Sequence, residues 1–222
     1  MNNQFYTARD LNFGDIIFML KASLTTIELA IIAIAGGMLL GILVGIGRSS
    51  SNPILKLITK MYVELFRGIP ILLQIFIFYY GLKIFNVKLP ALFSASISFI
   101  FNVSANIGET LKGIILSIPK NQWESSTSLG FSKLAQLWYI IMPQVIRAAI
   151  PPSIGIMVGL IKDTSLASIV GFVELTRAGG LIMSVTMDPF KIYPIIAIIY
   201  FIICFFLTQS SRWLEKKLVI YN

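Results

Sequence analysis

Apolar residues along this chain come in long runs rather than alternating with polar ones. The first run covers residues 24–47 and is closed by Arg48. At 1.5 Å per residue it is long enough to cross a hydrocarbon layer of about 30 Å. Gly37, Gly41 and Gly45 recur on one face of it, which predicts close packing against another helix. A serine-rich turn ends at Pro53. The next apolar run, 69–82, is short for a crossing. It is predicted to continue a helix that begins near Ile54 and bends at Gly68 and Pro70, giving a second span over 54–82. A third span over 91–118 is interrupted by Asn102, Ser104, Asn106, Glu109 and Lys112. Residues 119–143 are amphipathic and too polar to span. A fourth span, 145–161, carries Pro151 and Pro152 and is predicted to be broken or kinked. Residues 162–188 mix small and polar groups around Gly179-Gly180, which predicts a re-entrant turn or short helices buried in protein or lining a cavity. The last span is 192–207, followed by Arg212, Lys216 and Lys217. The pattern predicts an all-α integral membrane protein, residues 1–222 forming one transmembrane unit of about five helices.

Composition agrees with that reading. Hydrophobic residues make up 56% and charged residues 13%, against about 45–50% and about 25% in soluble domains. The net charge is +8. No basic cluster on a solvated face points to nucleic acid. Most of the 18 Lys and Arg fall on the side that holds 48–67, 112–147 and the C-terminal tail. That side is expected to be cytoplasmic, with the N-terminus outside and the C-terminus inside. Residues 1–14 are polar and lack the basic-then-apolar layout of a signal peptide. The chain has no histidine, which removes His-based catalysis and most zinc and haem sites. A single cysteine, Cys204, cannot form an intrachain disulfide. There is no GxxxxGK[ST] phosphate loop. No catalytic residue, cofactor or metal is expected, and ATP, if used, must be hydrolysed by another chain.

The polar stretch 119–143 has its own grammar. Asn121 with Glu124 three residues on is a capping-box pattern, predicting a helix over 122–129. Gly130 suits its left-handed stop. Ser132 can cap a second helix with Leu134, Leu137, Trp138 and Ile141 on one apolar side, ending by Pro143. The first helix would expose Trp123, Ser125 and Ser126. Periodicity alone leaves two readings open, a membrane-surface helix without a partner or a docking element.

Glu124-Ser125-Ser126, Gly130, then Ile140-Ile141-Met142-Pro143 resembles the EAA loop of bacterial ABC-transporter permeases, with both alanines replaced by serine and a leucine by Met142. The segment from Tyr62 to Pro70 is similar to the YVELFRGTP of polar amino-acid permeases, Ile118 to Glu124 to their IPKGQWE, and Lys162 to Ser168 to their KDTSLAS. The resemblance implies an importer-type permease fold and a cytoplasmic coupling helix made by Trp123, Glu124, Ser125, Ser126, Gly130 and Pro143. It implies two cytosolic ATPase subunits, a second permease chain (a copy or a paralogue), an extracytoplasmic solute-binding protein and a polar amino acid as substrate. The setting would be the bacterial cytoplasmic membrane and the mechanism alternating access. It further implies that Glu109 and Asp163 lie near the substrate's amino group, with Asn106, Ser104, Thr164 and Ser165 completing the site. Asn106 stands where relatives place tyrosine and Lys112 where they place arginine, so the substrate stays open.

Read from the residues alone, each carboxylate has two uses. Glu109 can pair with Lys112, and Asp163 with Lys162 or a helix end; or both can face a translocation path. Glu28 suits helix packing or a partner as well as a solute. Glu64 and Arg67, three apart, suggest a structural ion pair near the cytoplasmic surface. Phe76, Phe78, Tyr79 and Tyr80 read as lipid-facing or interface packing. Two rivals stand beside the importer. An ion-driven secondary transporter would call for inverted repeats, which are not visible. A membrane enzyme would have only isolated carboxylates to work with.

Overall fold

The computed structural model describes residues 9–219, with the side chains of 211, 212 and 214–219 outside that description. The side chains of Arg212, Lys216 and Lys217, and residues 1–8 of the stretch read as lacking a signal, thus lie outside the described part. Among the described residues every regular element is helical. In order they are α1 (Phe13–Ser49), α2 (Pro53–Gly68), α3 (Ile71–Tyr79), α4 (Ala91–Ser117), α5 (Lys120–Ser128), α6 (Lys133–Ala135), α7 (Met142–Asp163), α8 (Leu175–Thr186) and α9 (Pro189–Val219). Four helical stretches are long and apolar enough to cross a membrane, and α2 with its continuation through α3 makes a fifth if the bent pair is one span.

α1 starts well before its apolar run because the polar residues ahead of it build a cap. Asn12 Oδ1 accepts from the Asp15 amide and Asp15 Oδ2 from the Asn12 amide, both at 3.0 Å. Arg9 braces Asp15 at 2.6 and 2.7 Å. The extra turns put Met19 into a cluster with Leu175, Ile182, Ile192 and Ile196, so α1 holds α8 and α9 at one end of the bundle.

At the other end α1 packs on α4 along its glycines. A Cβ on Gly37, Gly41 or Gly45 would lie 2.5–2.8 Å from Val103, Ile107 or Leu111. Only glycine lets the two backbones approach this closely. Phe99, Val103 and Ile107 carry this face into the main core with Leu29, Ala33, Val145, Ala149 and Leu160.

The predicted break at Gly68–Pro70 is an elbow of 101° between α2 and α3. Such a break frees carbonyls, and side chains satisfy them. Gln74 Nε2 donates to the Phe66 and Ile69 carbonyls, each at 2.8 Å, and Asn102 Nδ2 of α4 donates to Phe66 at 3.2 Å.

Two expectations are corrected in the second half. The helix does not stop at Pro143. Residues Lys133–Val170 form one helical stretch, with a wide π turn over Gln136–Ile141 and a 3₁₀ end over Thr164–Val170. In the wide turn the Met142 amide reaches back to the Leu137 carbonyl. That relaxed geometry precedes Pro143, whose ring would crowd a regular turn. Of the two alternatives for the fourth span, a break at Pro151 and Pro152 is ruled out, since both lie inside a continuous α7, exposed. The mixed segment after it becomes, as expected, a short helical turn, a left-handed Gly171 and α8.

Candidate functional site

The polar loop forms a helical turn closed by glycine. α5 begins after Pro119, with no side-chain cap, so Asn121 and Glu124 do not make the expected capping box. Proline's fixed φ starts the helix instead. Its end is as expected. Gly130 has φ +82°, the Phe131 amide bonds the Ser126 carbonyl at 3.1 Å, and the Gly130 amide bonds Thr127 at 2.9 Å. That pair is the Schellman arrangement. Ser132 then caps α6 through the Ala135 amide at 3.3 Å.

The face that α5 presents differs from expectation. Trp123 packs against the main core and Ser126 is buried, its hydroxyl bonded to the Trp123 carbonyl at 2.9 Å. The helix rotates because Trp123 is the one large apolar group able to anchor it. Exposed are Asn121, Glu124, Ser125 and Ser128. On the following helix Ile141 is buried, while Leu134 and Trp138 of the same apolar set are exposed. Pro143 is exposed.

Two glutamines that the sequence did not single out tie α5 to the α6–α7 rod. Buried Gln136 donates to Thr127 Oγ1 at 2.8 Å and to the Phe131 carbonyl at 3.2 Å. Gln144 donates to Gln122 Oε1 at 2.7 Å. The only signal for Gln136 is a polar residue amid the apolar positions of its helix. A cavity of about 830 Å³ separates α5 from the α1–α2 turn, so α5 is carried by the rod rather than by α2.

Along α4 runs a polar stripe. Asn106 Nδ2 donates to the Asn102 carbonyl and Oδ1 at 2.9 and 3.1 Å. Ser104 is buried and shares a hydrogen bond of 2.5 Å with the Tyr62 hydroxyl. Glu109 accepts from Arg48 Nε at 3.0 Å and from its Nη2, and pairs with Lys112 at 2.9 Å. The pairing weighed for Glu109 thus exists, with a second cation from the end of α1.

On α7 and its 3₁₀ end, Thr164 is buried and donates to the Ile161 carbonyl at 2.6 Å. Ser165 donates to Lys162 at 2.7 Å. Asp163 is exposed and makes no hydrogen bond or salt bridge among the described residues. Asp163, Thr164 and Ser165 follow one another at the end of α7, whereas Ser104, bonded to Tyr62, and Asn106, bonded to Asn102, face different sides of α4. Glu109 and Asp163 are not brought together. Ile161 packs on Ala30 of α1, whereas Glu109 sits on Arg48, about 27 Å further along the same helix. One small solute cannot touch both within this chain.

Depth follows from the same contacts. The apolar run of α1 is centred near Gly37, which abuts Val103. Next to Val103, Asn102 bonds the Phe66 carbonyl, so the elbow lies at mid-span. Arg67 is therefore level with the middle of the apolar run of α1 rather than with its Arg48 end. The expected Glu64–Arg67 pair is absent, because Glu64 turns to Lys60, 3.6 Å away. Arg67 is exposed with no hydrogen bond or ion pair among the described residues. A cation at the centre of a span costs about 2.5–3.5 kcal/mol on insertion scales when it faces lipid.

The sequence reading also passed over Glu174. It is fully buried and caps α8, accepting from the Thr176 and Arg177 amides at 2.8 and 2.7 Å and from the Tyr200 hydroxyl at 2.8 Å. No local pattern announces it, since glutamate is a rare N-cap. Of the aromatics, Phe78 packs on Phe101, while Tyr79 and Tyr80 lie under the Lys83 ammonium at 4.3 and 4.7 Å.

Comparison with known proteins adds a family. Residues 37–220 match the model of the binding-protein-dependent transport system inner membrane component. The chain is 39% identical over 197 residues to the L-cystine transport system permease protein of Bacillus subtilis, covering 88% of this chain and 84% of the relative. It is 30% identical over 204 residues to the glutamine transport system permease protein of Escherichia coli K12, covering 91% and 93%. Among solved structures it superposes on an amino acid ABC transporter crystallised with histidines, with TM-score 0.87, 28% identity and coverage of 94% and 100%. The inward-facing MetNI methionine ABC transporter shares the fold at TM-score 0.81 and 13% identity, with coverage of 94% and 99%.

Proposed function

Because the chain belongs to the family of binding-protein-dependent transport system inner membrane components, we propose that it forms the membrane path of an ATP-driven importer of polar amino acids. As a permease subunit it hydrolyses no ATP; a separate ATPase chain does so, and a second permease chain completes the path. The named relatives carry cystine and glutamine systems, which supports an amino-acid substrate here. The finer arrangement we propose is two ATPase copies on the cytoplasmic side, a solute-binding protein outside, and a location in the bacterial inner membrane. The family match and superposition on importer permeases favour this over an ion-driven transporter.

The observation that carries the reading is α5 itself: a short helix closed by Gly130 and pinned by Gln136 and Gln144 to a rod that runs unbroken to Val170. The ATPase would seat on Glu124 and Ser125, with Trp123 and Ser126 fixing α5 from within and Gly130 and Pro143 setting its angle. Displacing α5 then displaces the far end of the rod, where Asp163, Thr164 and Ser165 stand. Asp163 would meet the solute's amino group at the outer end of the path, with Thr164 and Ser165 beside it. Ser104 and Asn106 would flank the middle, and Glu109 the inner end.

Gly130→Val tests this. A β-branched residue at φ +82° strains or straightens the turn. The variant is expected to insert normally but to lose the ATPase from the purified complex, or to hydrolyse ATP without uptake. Wild-type co-purification together with wild-type uptake would refute the docking role.

A further inference from the structure

Resting on the amino-acid reading, we infer that Arg67 at the α2–α3 elbow binds the carboxylate of the transported solute. Arg67 is level with the middle of α1 and α4, through Phe66, Asn102 and the Gly37–Val103 contact. It is exposed, and nothing among the described residues neutralises it. Lys60 and Glu64 precede it on the same face of α2, spaced four and three residues apart, so a charged ladder climbs from the cytoplasmic end to the elbow. Charges placed at this depth face water or a partner rather than lipid tails.

The elbow adds two features suited to an amino acid. Just past Pro70 the nine-residue α3 begins at Ile71 with no side-chain cap, so the Ile71 and Leu72 amides at the break have no side-chain acceptor among the described residues. Those amides and a guanidinium fork both favour an anion. Gln74, only 2% exposed, holds the broken ends with its Nε2, while its Oε1 has no donor. That oxygen is an acceptor for an ammonium group once the elbow opens. The elbow segment thus carries one cation and one unpaired acceptor, a group for each end of a zwitterion. Asn106, on the adjoining turn of α4, has its amide hydrogens turned to Asn102 and leaves Oδ1 for a second polar contact.

The test uses the full permease–ATPase complex, with L-glutamine or L-cystine as probe, whichever the wild-type complex takes up with its binding protein. Equilibrium binding to the complex without the binding protein is measured for the amino acid and for its α-carboxamide. Wild type is expected to prefer the acid. Arg67→Gln should weaken acid binding on the order of ten- to hundredfold and abolish the preference, while Arg67→Lys restores part of it. Wild-type affinity and preference in Arg67→Gln would overturn the inference. So would dissociation of the two permease chains in both variants, since Arg67 would then serve the partner chain. If the wild-type complex takes up no amino acid, the amino-acid reading itself fails and the carboxylate assignment falls with it.

Discussion

A carboxylate inside a bilayer is held by whichever cations reach it, and Glu109 is reached by two. Arg48 is 7% exposed and depends on Glu109, which is 29% exposed and so partly screened. Replacing Glu109 with glutamine leaves that guanidinium short of its counter-charge, at a cost of about 1–3 kcal/mol. A lowered thermal midpoint of the purified complex is expected, with the Arg48→Met/Glu109→Leu pair recovering most of the loss. An unchanged midpoint with lost uptake would instead mean that Glu109 serves the solute alone. The glycine stripe gives a second residue-scale test. Gly41→Val places its Cβ 2.7 Å from Ile107 and 3.2 Å from the Ser104 carbonyl, and should destabilise by about 1–3 kcal/mol. Gly155→Ala, with nothing within 4 Å, should be neutral or mildly stabilising. Thermal unfolding of the two variants side by side decides it. The stripe was legible because its spacing is local. Arg48–Glu109 was not, since 61 residues separate the partners and only the α1–α4 approach joins them. Glu109 with Lys112 was readable because a one-turn pair is written in the spacing.

At the scale of elements, boundaries were hardest to read where the signal was not hydrophobic. Pro143 looked like a stop, yet the helix passes through it because a π turn widens the backbone just before. A π turn has no compositional mark of its own, so the loop and the fourth span read as two pieces. The start of α1 was missed for a similar reason: Asn12 and Asp15 cap it ahead of the apolar run. Gly68–Pro70 and Gly130 were legible because proline and glycine constrain backbone angles directly. The π turn also fixes the angular position of α5 relative to α7. Replacing Gln136 with leucine removes the hydrogen bonds to Thr127 and the Phe131 carbonyl that hold α5 on this turn. Such a variant should still insert, while co-purification of the ATPase drops several-fold. Retention of the ATPase at wild-type level would show that α5 docks independently of the rod.

Taken as a molecule, the chain is a bundle in which α1 and α4 form the closely packed pair and the α6–α7 rod links α5 to the opposite end. Hydropathy revealed the order of the spans, and the basic residues supply an expectation for the orientation. Arg67 and Asp163 show no hydrogen bond or ion pair among the described residues, so their spacing along the chain offered no pairing to read. The orientation is checked with single cysteines in a Cys204→Ser background. Ser132→Cys should be shielded from an impermeant thiol reagent outside intact cells, and Asn86→Cys should label; the opposite pattern reverses the topology. The central claim, ATP-coupled permeation through this chain, is tested most directly by uptake of a radiolabelled amino acid into cells or vesicles carrying the complete system. Uptake is expected to persist when ion gradients are collapsed by an ionophore and to vanish when the ATPase partner cannot hydrolyse ATP. Uptake that survives loss of ATP hydrolysis and stops with the ion gradient would contradict the account.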